Sequence, residues 1–158
     1  MNETSKIKNK FILNWVLKNK LALGTSPMDI KDLNLLKKNK VKNILCLCNQ
    51  EESKWHLELE KSFLCNRVIL PDSNQNKLPT YMQIDKAYKI LKKLVNNNIT
   101  FVHCFASVER SPLLCIMFMM ENYNLNLEES LDYVKRVHSL TNPRNEQLFF
   151  IEKYFSNT

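Results

Sequence analysis

Eight consecutive apolar residues, Leu113 to Met120 (LLCIMFMM), constrain this chain more than any other stretch. The surrounding segment, Ser111 to Tyr123, reads as a helix. A helix that is apolar on every side has no face to give to water, so it must be the central, buried helix of the fold. It is far too short for a membrane span, which takes about 20 residues. The chain has 158 residues, which suits one domain around one core, and we expect residues 1–158 to form a single domain.

The layers around that helix follow from patterning. Phe11 to Val16 and Leu21 to Gly24 read as two short strands. Ser26-Pro27 predicts a helix start, with serine as cap and proline in the first turn, and that helix runs out in lysines near Lys40. Val41 to Cys48 reads as a buried strand, Glu51 to Phe63 as a short helix, and Arg67 to Leu70 as another strand. Pro71 to Pro79 is a polar loop. Ile84, Ala87, Tyr88, Leu91, Leu94 and Val95 keep helical spacing within Thr80 to Asn97. Ile99 to His103 is a strand, and Leu127 to Ser139 and Asn145 to Phe155 are amphipathic helices. Strands alternating with helices predict an α/β fold: a central, mostly parallel sheet of about four to five strands flanked by helices.

The stretch that carries chemistry is Phe101-Val102-His103-Cys104-Phe105-Ala106-Ser107-Val108-Glu109-Arg110-Ser111-Pro112. A strand ends at His103-Cys104, a short loop follows, and a helix begins near Ser111. Loop N–H groups and the positive end of that helix converge on one spot and make an anion cradle. A cysteine placed there is stabilised as the thiolate, the nucleophilic form. An arginine six residues later returns over the loop and grips two phosphate oxygens at once, which a lysine cannot do. The chain has only four arginines against 19 lysines, so an arginine at this position is informative.

HCFASVERSP resembles the HC-x5-R-S/T signature of the cysteine-dependent protein tyrosine phosphatases, most of all their small dual-specificity branch. LALGTSP, NILCLCNQEE and NPRNEQLFFIEKY are softer matches that extend the resemblance over most of the chain. The resemblance implies a protein tyrosine phosphatase-like fold and a set of roles. Cys104 would attack phosphorus, Arg110 would bind the phosphate, Ser111 would help the thiolate leave, and His103 would support the loop. Phe105, Ala106, Ser107, Val108, Glu109 and Arg110 would form the phosphate-binding loop. The family's general acid is an aspartate on a loop after an upstream strand, and Asp72, directly after RVILP, matches that position. The implied reaction passes through a phosphocysteine and needs no metal or other cofactor. One departure stands out: the family usually has glycine where this chain has Ser107, a place where loop amides turn inward at positive φ. Serine there is expected to strain or loosen the cradle.

The loop between Cys104 and Arg110 holds one acid and no base, which argues for phosphoprotein monoesters over more highly anionic substrates. The short chain leaves little room for the added loop that deepens the site in strictly tyrosine-specific relatives, so both phosphotyrosine and phosphoserine/threonine are expected to fit. Two other readings stand beside hydrolysis: a phosphate-binding pseudophosphatase acting as an adaptor, and a redox or sulfur-transfer protein using Cys104 with Cys46, Cys48 or Cys115. The net charge of +7 is compatible with anionic substrates, although abundant lysine and asparagine together also reflect coding bias. The lysines form no long basic run or aromatic-and-basic stripe, so neither nucleic acid nor membrane is expected as a partner. Asn14, Lys18 and Lys20 interrupt the apolar residues near the N-terminus, so no secretory signal is expected. The five cysteines are then read as free thiols of a cytoplasmic protein. Cys115 and one or both of Cys46 and Cys48 are expected in the core, Trp15 and Trp55 as packing residues, and His56 and His138 as surface or satisfied histidines.

Overall fold

A five-stranded sheet divides the protein into two unequal apolar layers. The computed structural model describes residues 10–157; residues 1–9, which include the start of the N-terminal segment considered above, lie outside the described residues. Strands β1 (Leu13–Leu17), β2 (Leu21–Gly24), β3 (Asn43–Cys46), β4 (Leu64–Arg67) and β5 (Thr100–His103) lie in the order β1-β2-β5-β3-β4. Only the β1/β2 pair is antiparallel; β2/β5, β5/β3 and β3/β4 are parallel. The mostly parallel sheet anticipated from the alternating pattern is therefore present, with a hairpin added at one edge. β5 is the middle strand, and its two neighbours are buried along their whole length.

Among the described residues six helices flank the sheet: α1 (Ile30–Lys38), α2 (Leu59–Ser62), α3 (Tyr81–Asn97), α4 (Arg110–Tyr123), α5 (Leu127–Val137) and α6 (Asn145–Ser156). Leu33 and Leu36 of α1, Leu59 of α2 and Phe63 pack with Ala22, Ile44 and Phe101 in the smaller layer. The larger layer joins α3, α4, α5 and α6 to Leu23, Leu45 and Val102 on the other face. As its composition demands, α4 is buried from Arg110 to Met119. The buried positions of α3 are the six expected from helical spacing, and Thr80 caps it in a reciprocal capping box with Gln83. The chain's single glycine, Gly24, is set by close approach: a Cβ there would lie 1.7 Å from the Ile12 carbonyl oxygen.

Three elements differ from the sequence reading. Helix α1 is capped by Asp29, whose side chain accepts from the Lys31 and Asp32 amides, and not by Ser26. Ser26 instead donates its amide to the Phe105 carbonyl, so the Ser26-Pro27 segment braces the loop after β5. Within Glu51 to Phe63 only Leu59–Ser62 is helical. Asn49 and Glu52 close a reciprocal side-chain turn, and the Ser53 carbonyl accepts from Arg67 instead of from a helical amide. Strand β4 begins at Leu64, before the apolar run Val68 to Leu70, because its register is set by pairing with Asn43–Cys46. Val68 and Leu70 then donate to Cys46 and Leu47, so the expected extended run continues beyond the regular ladder.

Candidate active site

The carboxyl end of a central parallel strand is where open α/β sheets bind ligands, and β5 delivers Cys104 to that point. The loop from Cys104 to Glu109 then enters α4. Three of its carbonyls are bonded to the surrounding protein: Phe105 O accepts from Ser26 N at 3.3 Å, Ser107 O from His138 Nε2 at 2.7 Å, and Val108 O from Asn142 N at 2.8 Å. In a trans peptide the N–H points away from its C=O. Anchoring these carbonyls outward therefore turns the amides of Ala106, Val108 and Glu109 toward the cavity that those residues line. Helix α4 adds its N-terminal dipole to the same place. This is the anion cradle expected from the sequence, now with a cause for its shape.

Ser107 lies at φ 58°, in the left-handed region where glycine is favoured. The expected strain is opposed by two hydrogen-bonding contacts in a buried setting. Ser107 Oγ is 3.0 Å from Ser111 Oγ, its carbonyl accepts from His138, and the residue is fully buried. Ser111 Oγ is in turn 3.3 Å from Cys104 Sγ, so a hydroxyl sits beside the sulfur. His103 is buried, with its Nδ1–H donated to the Cys104 carbonyl at 3.1 Å, which supports the loop from below.

Arg110 is 5% exposed and held in a fixed orientation. Nη1 donates to Glu52 Oε2 at 3.1 Å and to the Leu70 carbonyl at 3.1 Å, and Nη2 donates to Glu52 Oε1 at 2.8 Å. Of the five guanidinium N–H groups, this leaves Nε–H and one Nη2–H, the side-on fork that matches two phosphate oxygens. Burial is the largest influence and works against the Arg110 charge, but the Glu52 carboxylate, Cys104 and Cys48 together push the guanidinium further up, so the group stays cationic.

Asp72 caps a single 3-10 turn, Ser73–Gln75. Its Oδ1 accepts the Asn74 amide, and Oδ2 lies 4.0 Å from Arg110 Nη2. Asp72, Cys104, Phe105 and Arg110 line one open cavity of about 200 Å³. The structure thus brings together the candidate site residues: Asp72, Cys104, Phe105, Ala106, Val108, Glu109 and Arg110 line the cavity, Ser107 is buried within the loop, and Ser111 and His103 contact Cys104. The other cysteines read as expected. Cys46, Cys48 and Cys115 are in the core, and burial pushes the Cys115 thiol up, away from reactivity.

Two partners were not visible in the sequence as functional residues. Glu52 clamps Arg110 from within the family-like NILCLCNQEE segment. His138 is buried and satisfied between two distant elements: Asn14 Nδ2 donates to its Nδ1 at 2.8 Å, and its Nε2–H holds Ser107. Burial lowers its affinity for a proton, partly offset by the Ser107 carbonyl.

Comparison with known proteins agrees with this geometry. The family model for the dual specificity phosphatase catalytic domain matches residues 23–157. A Dictyostelium discoideum protein named as a probable dual specificity protein phosphatase is 23% identical over 121 residues, covering 77% of this chain and 29% of that protein. Mouse dual specificity protein phosphatase 14 is 39% identical over 59 residues, 37% of this chain and 28% of the relative. The chain thus corresponds to well under half of either relative's length. Among solved structures, the human tyrosine phosphatase-like serine/threonine/tyrosine-interacting protein shares the fold with a TM-score of 0.78 at 17% identity, over 92% of this chain and 96% of that one. With its family model matched from β2 to the end of α6, the chain belongs to the dual specificity phosphatase catalytic domain family.

Proposed function

We propose that the protein hydrolyses phosphate monoesters on proteins, both phosphotyrosine and phosphoserine/threonine, through a phosphocysteine. The observation that carries this is the single cavity shared by Cys104, the free fork of Arg110 and the Asp72 carboxyl. Cys104 thiolate attacks phosphorus, forming the S–P bond as the ester P–O bond breaks. Protonated Asp72 gives its proton to the departing oxygen. Water then attacks the phosphocysteine, giving its proton to the Asp72 carboxylate, and the S–P bond breaks to return the thiolate, which Ser111 Oγ–H stabilises. Arg110 and the amides of Ala106, Val108 and Glu109 hold the equatorial oxygens in both steps. His103 positions the loop and touches no substrate.

The open cavity and the exposed Phe105 at its rim support a shallow site that takes protein side chains of different lengths. Among the described residues no helix is long and apolar enough to cross a membrane. The free cysteines fit a reducing compartment, and the cytoplasm is the location we assign. Residues 1–158 act on this reading as one catalytic domain, with phosphoproteins as partners and without nucleic acid or membrane.

The test is hydrolysis of para-nitrophenyl phosphate between pH 5 and 8 in chelator, with wild type beside Cys104→Ser and Asp72→Asn. Chelator-resistant turnover that Cys104→Ser abolishes and Asp72→Asn lowers about 10²-fold or more is expected. A folded wild type that binds vanadate but does not turn over would replace this reading with the phosphate-binding adaptor.

A further inference from the structure

A carboxylate beside a phosphate dianion is electrostatically costly, yet Glu109 sits in the phosphate loop itself, immediately before Arg110. Its side chain is 20% exposed and is engaged by three partners. Glu109 Oε2 accepts from the Ser73 hydroxyl and from Gln147 Nε2 at 3.4 Å, and Oε1 accepts from Arg144 Nε at 3.2 Å. Arg144 and Gln147 belong to the capped N-terminus of α6, which packs Ile151 and Tyr154 into the larger layer. Ser73 is 3% exposed and adjoins Asp72, in the 3-10 turn that Asp72 itself caps. One side chain therefore joins the phosphate loop, the Asp72 loop and α6.

The Asp72 loop has few other holds. Its turn is closed by local bonds, Asn74 and Gln75 to Asp72 and Asn76 to Ser73, which shape the loop without fixing its distance from Cys104. Proton transfer to a leaving group requires a carboxyl within about 2.6–3.2 Å of the departing oxygen. From these contacts we infer that Glu109 is a positioning residue for the general acid. Through Ser73 it sets the reach of Asp72 over the phosphate loop, while Arg144 and Gln147 offset its charge. This rests on the reading of Asp72 as general acid.

Leaving-group dependence separates positioning from mere structural support. The quantity kcat/KM covers the steps through phosphocysteine formation. A well-placed acid makes it nearly indifferent to the acidity of the phenol released, and a lost acid penalises weakly acidic phenols most. Para-nitrophenyl, chlorophenyl and phenyl phosphates would be compared for wild type, Asp72→Asn, Ser73→Ala and Glu109→Ala. Ser73→Ala leaves the phosphate loop untouched, so it remains informative if Glu109→Ala folds poorly. Asp72→Asn is expected to give the steepest dependence. Ser73→Ala and Glu109→Ala should fall between it and wild type, each losing about tenfold more on phenyl than on para-nitrophenyl phosphate, a part of the full acid contribution of about 10²–10⁴. Equal losses on all three substrates would overturn the inference and leave Glu109 as a brace of the loop. If Asp72→Asn itself leaves the dependence unchanged, the acid assignment fails first and the inference falls with it.

Discussion

The two walls of the cavity are built on different principles. On the nucleophile side, the carbonyls of Phe105, Ser107 and Val108 are each bonded to a different part of the protein, and Ser107, Ser111 and Cys104 form a buried chain of contacts. Arg110 is locked by Glu52 and Leu70. On the other side, Asp72 is 29% exposed at the cap of a 3-10 turn; its own approach to the opposite wall is the 4.0 Å pair with Arg110, and its neighbours Ser73 and the Leu70 carbonyl supply the hydrogen bonds across. On the proposed mechanism the anion-binding wall is held by contacts to several elements, and the proton-donating wall by a few side chains. Damage to the first should appear in rate on every substrate and in stability. Damage to the second should appear in which leaving groups are tolerated.

The largest effect that would break this contrast concerns Arg110. Arg110→Lys keeps a charge but loses the side-on fork, and kcat/KM should fall by about 10²–10³-fold on good and poor leaving groups alike. A loss confined to weakly acidic phenols would mean that Arg110 serves Asp72 more than phosphate. Next comes Glu52. Glu52→Ala leaves a buried guanidinium without its carboxylate, at a cost of about 3 kcal/mol in thermal or denaturant unfolding. Inorganic phosphate bound to the same arginine should restore part of that stability, and by more than it adds to wild type. Equal phosphate effects in both proteins would show that the Glu52 contact and the ligand site are not coupled.

A third prediction sharpens the role of His138. Its proton affinity is lowered in the fold, mainly by burial. The unfolded chain therefore binds more protons below its own pKa of about 6.5, so the stabilisation is complete above that pH and is lost as pH falls toward the lowered folded value. A protonated Nδ1 would also face the Asn14 amide donor. Unfolding titrations should show stability declining below about pH 6.5, and His138→Gln should flatten that decline; an unchanged decline would assign it to other groups. The smallest effect belongs to Ser107→Gly. Release of about 1–2 kcal/mol of left-handed strain is offset by a lost hydroxyl bond of about 1 kcal/mol and by glycine's greater unfolded freedom. Denaturant unfolding should therefore change by less than about 1 kcal/mol, and a much larger gain would show that the hydroxyl contacts add little.

The cradle was legible in the sequence because its parts are contiguous. Strand, Cys104, loop, Arg110 and apolar helix occupy one run, and each local preference points to the same geometry. Asp72 was legible because it follows an apolar extended run at the expected place. Glu52 and His138 were not, because their partners are 58 and 31 residues away and meet them only through the strand order. The β4 edge strand was misplaced for a related reason. Leu-Cys-Asn-Arg has no apolar run, and its position is dictated by pairing with β3 and not by its own composition. The Ser26-Pro27 cap was misread because Asp29 and Asp32 offer a better reciprocal box, which frees Ser26 for the loop.

The account turns on Cys104 as the atom that takes the phosphoryl group. Rapid acid quench of the enzyme during turnover of para-nitrophenyl phosphate, followed by mass spectrometry of its peptides, tests this directly. The account predicts one added phosphoryl group on the peptide containing Cys104, more of it in Asp72→Asn when water attack is slowed, and none in Cys104→Ser. Full turnover with no phosphoryl group on Cys104, or with one on another residue, would contradict it.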